Sequence, residues 1–111
     1  MHEMGLAKDV LRKLLEAADK SGINLIHSAK VNIGETLISH KEEFFELFGQ
    51  ISKGTAADGI DLKVTVIPLM AFCNGCKAKF SAKEMKSGCP KCDSGDFKIV
   101  SGKEIMITEI K

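Results

Sequence analysis

Apolar residues at Ala7, Val10, Leu11, Leu14, Leu15 and Ala18 recur at the three- and four-residue spacing of one helix face. Lys8, Asp9, Arg12, Lys13, Glu16, Asp19 and Lys20 fill the other side, and Gly22 suits the position just past a helix end. The pattern predicts a helix over 4–20. From 24 to 33 the period changes to two. Leu25, His27, Ala29, Val31 and Ile33 alternate with Ile26, Ser28, Lys30 and Asn32, which predicts a strand that Gly34 ends. Ser39 and Glu42 have the spacing of a capping box, in which the serine oxygen caps a free amide and the glutamate reaches back. The helix it opens carries Phe44, Phe45, Leu47, Phe48 and Ile51, a large apolar patch read as core, and closes at 53–56. Leu62, Val64 and Val66 alternate with Lys63 and Thr65 in a second strand within 61–70, whose Pro68 belongs at a sheet edge or exit. A third β-rich run, KEIMITEI, covers 103–110.

The predicted fold class is α+β. A small mixed three-stranded sheet carries two helices, and a four-cysteine, zinc-ribbon-like module is inserted before the last strand. Strand–helix–strand from 24 to 67 implies a parallel crossover, and the last strand returns antiparallel. The expected division is an α/β domain of 1–71 with 99–111, and a metal module of 72–98.

Composition narrows the functions open to such a fold. The 111 residues suffice for one domain with a small satellite. Sixteen basic against fifteen acidic residues leave a formal charge of +1, so no long-range field recruits nucleic acid or an anionic membrane. Trp and Tyr are absent, which limits base stacking to Phe. No apolar run approaches the roughly 20 residues of a membrane span, and MHE lacks the basic and apolar regions of a secretory signal. The expected location is the cytoplasm, where thiols stay reduced.

The four cysteines form two C-x-x-C pairs, Cys73/Cys76 and Cys89/Cys92, with twelve residues between them. This is zinc-site spacing. Each pair grips one ion through a tight turn whose amides hydrogen-bond the thiolates, and the loop brings the second pair back to complete a tetrahedron. Gly75 is read as relieving crowding in the first turn, and Asp93 as tolerating the left-handed conformation after the second. Lys77, Lys79, Lys83, Lys86 and Lys91 offset the thiolate charge. A filled tetrahedron makes this zinc structural rather than catalytic. The competing readings are a redox dithiol enzyme and a zinc-ribbon nucleic-acid or scaffold module.

A second chelate lies at MHE. Met1 is expected to be retained because His2 is too large for removal of the initiator. The Met1 amine, the His2 backbone nitrogen and the His2 imidazole then close fused five- and six-membered rings in one plane. Glu3 adds a fourth donor or orients the site. Planar nitrogen ligation suits Ni²⁺ or Cu²⁺ better than zinc.

The start MHEMGLAKDVL, the C-x2-C-x12-C-x2-C module and the ending CPKCDSGDFKIVSGKEIMITEIK together resemble the HypA/HybF family of nickel-insertion metallochaperones, over essentially the whole chain. The resemblance implies nickel at Met1, His2 and possibly Glu3, and zinc at Cys73, Cys76, Cys89 and Cys92. It further implies weak binding of Ni(II) as transferred cargo and a nickel-handling GTPase partner. The recipient it implies is the large subunit of [NiFe]-hydrogenase, with urease served by some members. No catalysis, nucleic acid or membrane is implied. Asp93 stands where the family usually has Gly. Some archaeal relatives carry a histidine near the nickel in a longer cysteine loop, and 73–98 here contains none.

The remaining candidates take ordinary roles. His27 and His40 are read as half-buried and solvated rather than ligating. Met4 is read as core, and Glu42, Glu43 and Glu46 as a solvated first helical turn. No Ser-His-Asp, P-loop or dinucleotide-binding pattern occurs. Gly5 has no assignment.

Overall fold

Helix α1 runs from Glu3 to Ser21, close to the expected bounds, and buries Leu6, Ala7, Val10, Leu14 and Ala18. It ends in a Schellman arrangement: the Ile23 amide donates to Ala18 O (2.8 Å) and the Gly22 amide to Asp19 O (3.3 Å). The computed structural model describes residues 3–85 and 87–111.

Strand β1, Ser28–Gly34, starts later than its alternation predicts. Ala29, Val31 and Ile33 face the core as expected, but Leu25 is half exposed and His27 is exposed. The chain bends between them, so Ile26 is buried instead, its amide bonded to Ala56 O at 2.7 Å. Helix α2 spans Lys41–Ile51. The expected capping box does not form. His40 occupies the cap position without a side-chain bond, and the Ser39 amide donates instead to the Glu3 carboxylate, 3.4 Å away. A long-range contact has overridden a local one. Phe44 and Phe48 are buried with rings 5.9 Å apart, Phe45 packs edge-on to Phe44, and Glu42, Glu43 and Glu46 are exposed.

Strand β2, Asp61–Ile67, pairs parallel to β1 from Ser28↔Asp61 to Gly34↔Ile67. Strand β6, Ile105–Ile110, pairs antiparallel on the other side, giving the order β2-β1-β6. A bulge at Thr108 accounts for an irregularity in the sequence. Ile105, Ile107 and Ile110 break strict alternation, yet they pair with Ile33, Val31 and Ala29 and pack on the same core. The extra residue restores the parity, and Thr108 Oγ1 donates to Lys30 O at 3.2 Å. Among the described residues, the other face of the sheet carries no helix. No helix among the described residues is long and apolar enough to cross a membrane.

A second sheet holds the cysteines. Its strands are β3 (Met70–Cys73), β4 (Lys79–Ser81) and β5 (Phe97–Ser101), ordered β4-β3-β5 and antiparallel throughout, with a 3₁₀ turn at Ala82–Glu84. Pro68 lies at the exit of β2, as its missing N–H requires. The two sheets have separate cores: the second consists of Ala71, Cys73, Phe80 and Cys89, with Met85 and Phe97 packed against it. The radius of gyration is 17.0 Å, with extents of 52 × 27 × 16 Å. One compact domain of this length has about 13 Å, so the chain is elongated around two small cores.

Candidate metal centres

Two similar turns build the four-cysteine site. Cys73 ends β3, and its carbonyl accepts the Lys77 amide at 2.9 Å; the Cys89 carbonyl accepts the Asp93 amide at 2.8 Å. The residue after each second cysteine is left-handed, Lys77 at φ 65° and Asp93 at φ 59°. Asp93 behaves as expected, and Lys77 matches it. Inside each turn an amide reaches the first sulfur, Cys76 N to Cys73 Sγ (3.5 Å) and Lys91 N to Cys89 Sγ (3.4 Å).

The glycine that matters is not Gly75. A β-carbon there would meet Cys73 Sγ at 3.6 Å, an ordinary contact. Gly88 has φ 145°, and a β-carbon on it would strike Ser94 O. That oxygen accepts the Cys89 amide at 2.9 Å, so Gly88 permits the return of the chain that frames the second turn. Asn74 braces the first turn through Asp96, backbone to backbone (2.9 Å) and side chain to side chain (3.0 Å).

All four Sγ atoms lie within 4.8 Å of one another, with Cys73–Cys92 at 3.5 Å and Cys76–Cys89 at 3.6 Å. A tetrahedral zinc with Zn–S near 2.3 Å has sulfurs about 3.8 Å apart. The donor set therefore fits Zn²⁺, and the four cysteines are free thiols. Cys73 and Cys89 are buried, while Cys76 and Cys92 are exposed. The protons are held unequally. The Cys76 amide, opposed by burial and helped by the Cys92 thiol, lowers the Cys73 pKa to about 7. At Cys92 the Ser94 amide favours the thiolate, but the hydrogen bond with Cys73, burial and contacts with the other two thiols push the pKa up to about 12. Thiolates this close need a cation to coexist. Lys77, Lys79, Lys83 and Lys91 are exposed nearby in sequence, and Lys86 lies outside the described residues.

At the other candidate centre, Met1 and His2 lie outside the described residues. Glu3, the first residue of α1, is 5% exposed. Its Oε1 accepts the Ser39 amide at 3.4 Å and lies 4.0 Å from His40 Nδ1. Its Oε2 is buried and has no hydrogen-bond partner among the described residues. An unpaired buried carboxylate oxygen costs about 1–3 kcal/mol, so a donor is called for beside it. Sequence reasoning missed Ser39 and His40 as the neighbours of Glu3, because the capping pattern assigned Ser39 elsewhere. His27 is exposed, and its backbone pairs with Lys111 and Asp61.

The family model described as "Hydrogenase/urease nickel incorporation, metallochaperone, hypA" matches residues 1–111. The chain belongs to the HypA family. A hydrogenase maturation factor HypA from Archaeoglobus fulgidus is 32% identical over 109 residues, covering 98% of this chain and 94% of that protein. Its namesake from Acidithiobacillus ferrooxidans is 28% identical over 111 residues, covering 100% and 98%. The solution structure of the Ni metallochaperone HypA from Helicobacter pylori superposes with a TM-score of 0.73 at 22% identity, covering 100% of this chain and 97% of that one. A second HypA solution structure gives 0.68 at 23%. These two carry the fold. The HypA match also covers Met1 and His2, the residues expected from the sequence to form the second centre.

Proposed function

We propose that this chain is a nickel metallochaperone of hydrogenase maturation, holding Ni²⁺ at its N-terminus and passing it on without catalysing a reaction. The observation that carries the reading is the full-length family match together with the donor set at MHE. The Met1 amine, the His2 backbone nitrogen and the His2 imidazole supply three planar nitrogens. Glu3 stands beside them. Its Oε1 is engaged by Ser39, and its Oε2, buried without a partner among the described residues, is suited to a donor or a cation. Cys73, Cys76, Cys89 and Cys92 hold a structural Zn²⁺ whose four positions are filled by protein.

Nickel reaches and leaves the terminus in concert with a nickel-handling GTPase, and the recipient is the large subunit of [NiFe]-hydrogenase. A chelate at a chain end suits such a hand-over, since a partner's ligands replace it one donor at a time. The working location is the cytoplasm.

A calorimetric Ni²⁺ titration of zinc-loaded, untagged protein tests this beside His2→Ala and an N-terminally extended form. One Ni²⁺ per chain, lost in both variants with zinc retained, is the expected result. Equal nickel binding in all three would move the site away from the terminus.

A further inference from the structure

The two cores do not merge, so the angle between the sheets depends on what joins them. The chain crosses twice, at 67–69 and at 102–104, and both crossings lie against the loop after β1. The Gly34 amide donates to Glu104 O (2.9 Å) and the Glu35 amide to Ile67 O (2.8 Å). The Thr36 amide and hydroxyl both reach Gly102 O, at 3.3 and 2.9 Å. The backbones touch closely here: a β-carbon on Gly34 would collide with Gly102, and one on Gly102 with Leu69.

These bonds hold the crossings. The Glu35 side chain reaches the cysteine module itself. Glu35 Oε1 accepts the Leu69 amide at 2.5 Å, Leu69 O accepts the Ala82 amide at 2.9 Å, and Lys83 Nζ returns to Glu35 Oε2 at 3.5 Å. The contacts close a ring from the α/β domain through the linker to the 3₁₀ turn and back. Lys83 is 80% exposed and its ion pair contributes little. The carboxylate–amide bond is part-buried and charge-assisted, and is the stronger member.

We propose that Glu35 is a positioning residue, whose carboxylate clasps the four-cysteine module to the α/β domain and sets the angle between the two sheets. The loop that carries it continues to Ser39, whose amide holds Glu3. The seat of the module and the support of Glu3 thus share the stretch 34–40. The clasp needs no nickel, so its test is independent of the terminal chelate.

Residual dipolar couplings on full-length, zinc-loaded protein read the angle directly, with zinc content measured in parallel. One alignment tensor should fit both sheets of the unaltered chain. Glu35→Ala should require two tensors, the weaker for residues 70–101, with one zinc per chain retained. Glu35→Gln keeps an acceptor for the Leu69 amide and should restore a single tensor. Lys83→Met should change little. A single unchanged tensor in Glu35→Ala would overturn the proposal, as would two tensors in the unaltered chain. Should Glu35→Ala fail to fold, Glu35→Gln decides alone: two tensors with zinc retained would overturn the acceptor role.

Discussion

A β-carbon on Gly88 would lie 2.5 Å from the carbonyl oxygen of Ser94, the atom that receives the Cys89 amide. Gly88→Ala must move that backbone and also abandon φ 145°, a conformation that costs side-chain-bearing residues about 1–3 kcal/mol. The second cysteine turn should loosen. Zinc transfer to a chromogenic chelator should be much faster in Gly88→Ala, whereas Gly75→Ala should release zinc at the unaltered rate. Equal release from both variants would contradict the geometry.

Zinc removal should be felt unequally. Cys89 sits in the small core of the second sheet and shares no cluster with Phe44 or Ile33. In Cys89→Ser, or after chelation, amide signals of 70–101 should lose dispersion while those of β1, β2 and β6 keep theirs. Loss of both sets together would mean that the cores are one cooperative unit.

Phe44, on α2, is fully buried in the core that α1 and the first sheet share. Truncation to Ala should cost about 3–5 kcal/mol. In zinc-saturated protein this appears as a lower denaturant midpoint, with the zinc stoichiometry intact.

Nickel binding at the terminus should weaken in acid. An α-amine has a reference pKa near 8 and an imidazole about 6.5, and both must be unprotonated to ligate. Affinity measured from about pH 8 down to about pH 6 should fall steadily, releasing protons to buffer on binding. A flat profile would exclude nitrogen ligation.

Lys111, and after it Lys30, hold the Glu109 carboxyl below its usual range. Its folded pKa is depressed, so its contribution to stability is complete above the unfolded value near 4.3 and disappears as pH falls through the folded one. The group is half-buried, and its ion pairs are partly screened by salt. Glu109→Gln should flatten the acid limb of a stability–pH curve slightly at low ionic strength and leave the neutral region alone.

Periodicity located the helices and the first sheet well, because Val10, Leu14, Phe44, Val31 and Ile33 have no choice but the core. The cysteine spacing announced its own geometry. Four features escaped, three of them because they depend on a contact between separate segments of the chain. Ser39 gave up its cap for Glu3, 36 positions away. Gly88 was unremarkable until Ser94 stood against it. The second sheet is built from strands of three to five residues, too short to show a period. Glu35 belongs to no motif, and only the crossing of the chain at Leu69 gives it a partner.

The cysteine module is spliced into the connection between β2 and β6, two strands that flank β1 in one sheet. While the module is folded, its ends at Leu69 and Gly102 lie side by side, and the sheet sees a short connection. Once it unravels, residues 68–104 become one slack loop of roughly 37 residues, and closing it raises the entropic cost of docking β6 by about 2 kcal/mol. An ion bound in one core thereby shortens the chain that the other core must close.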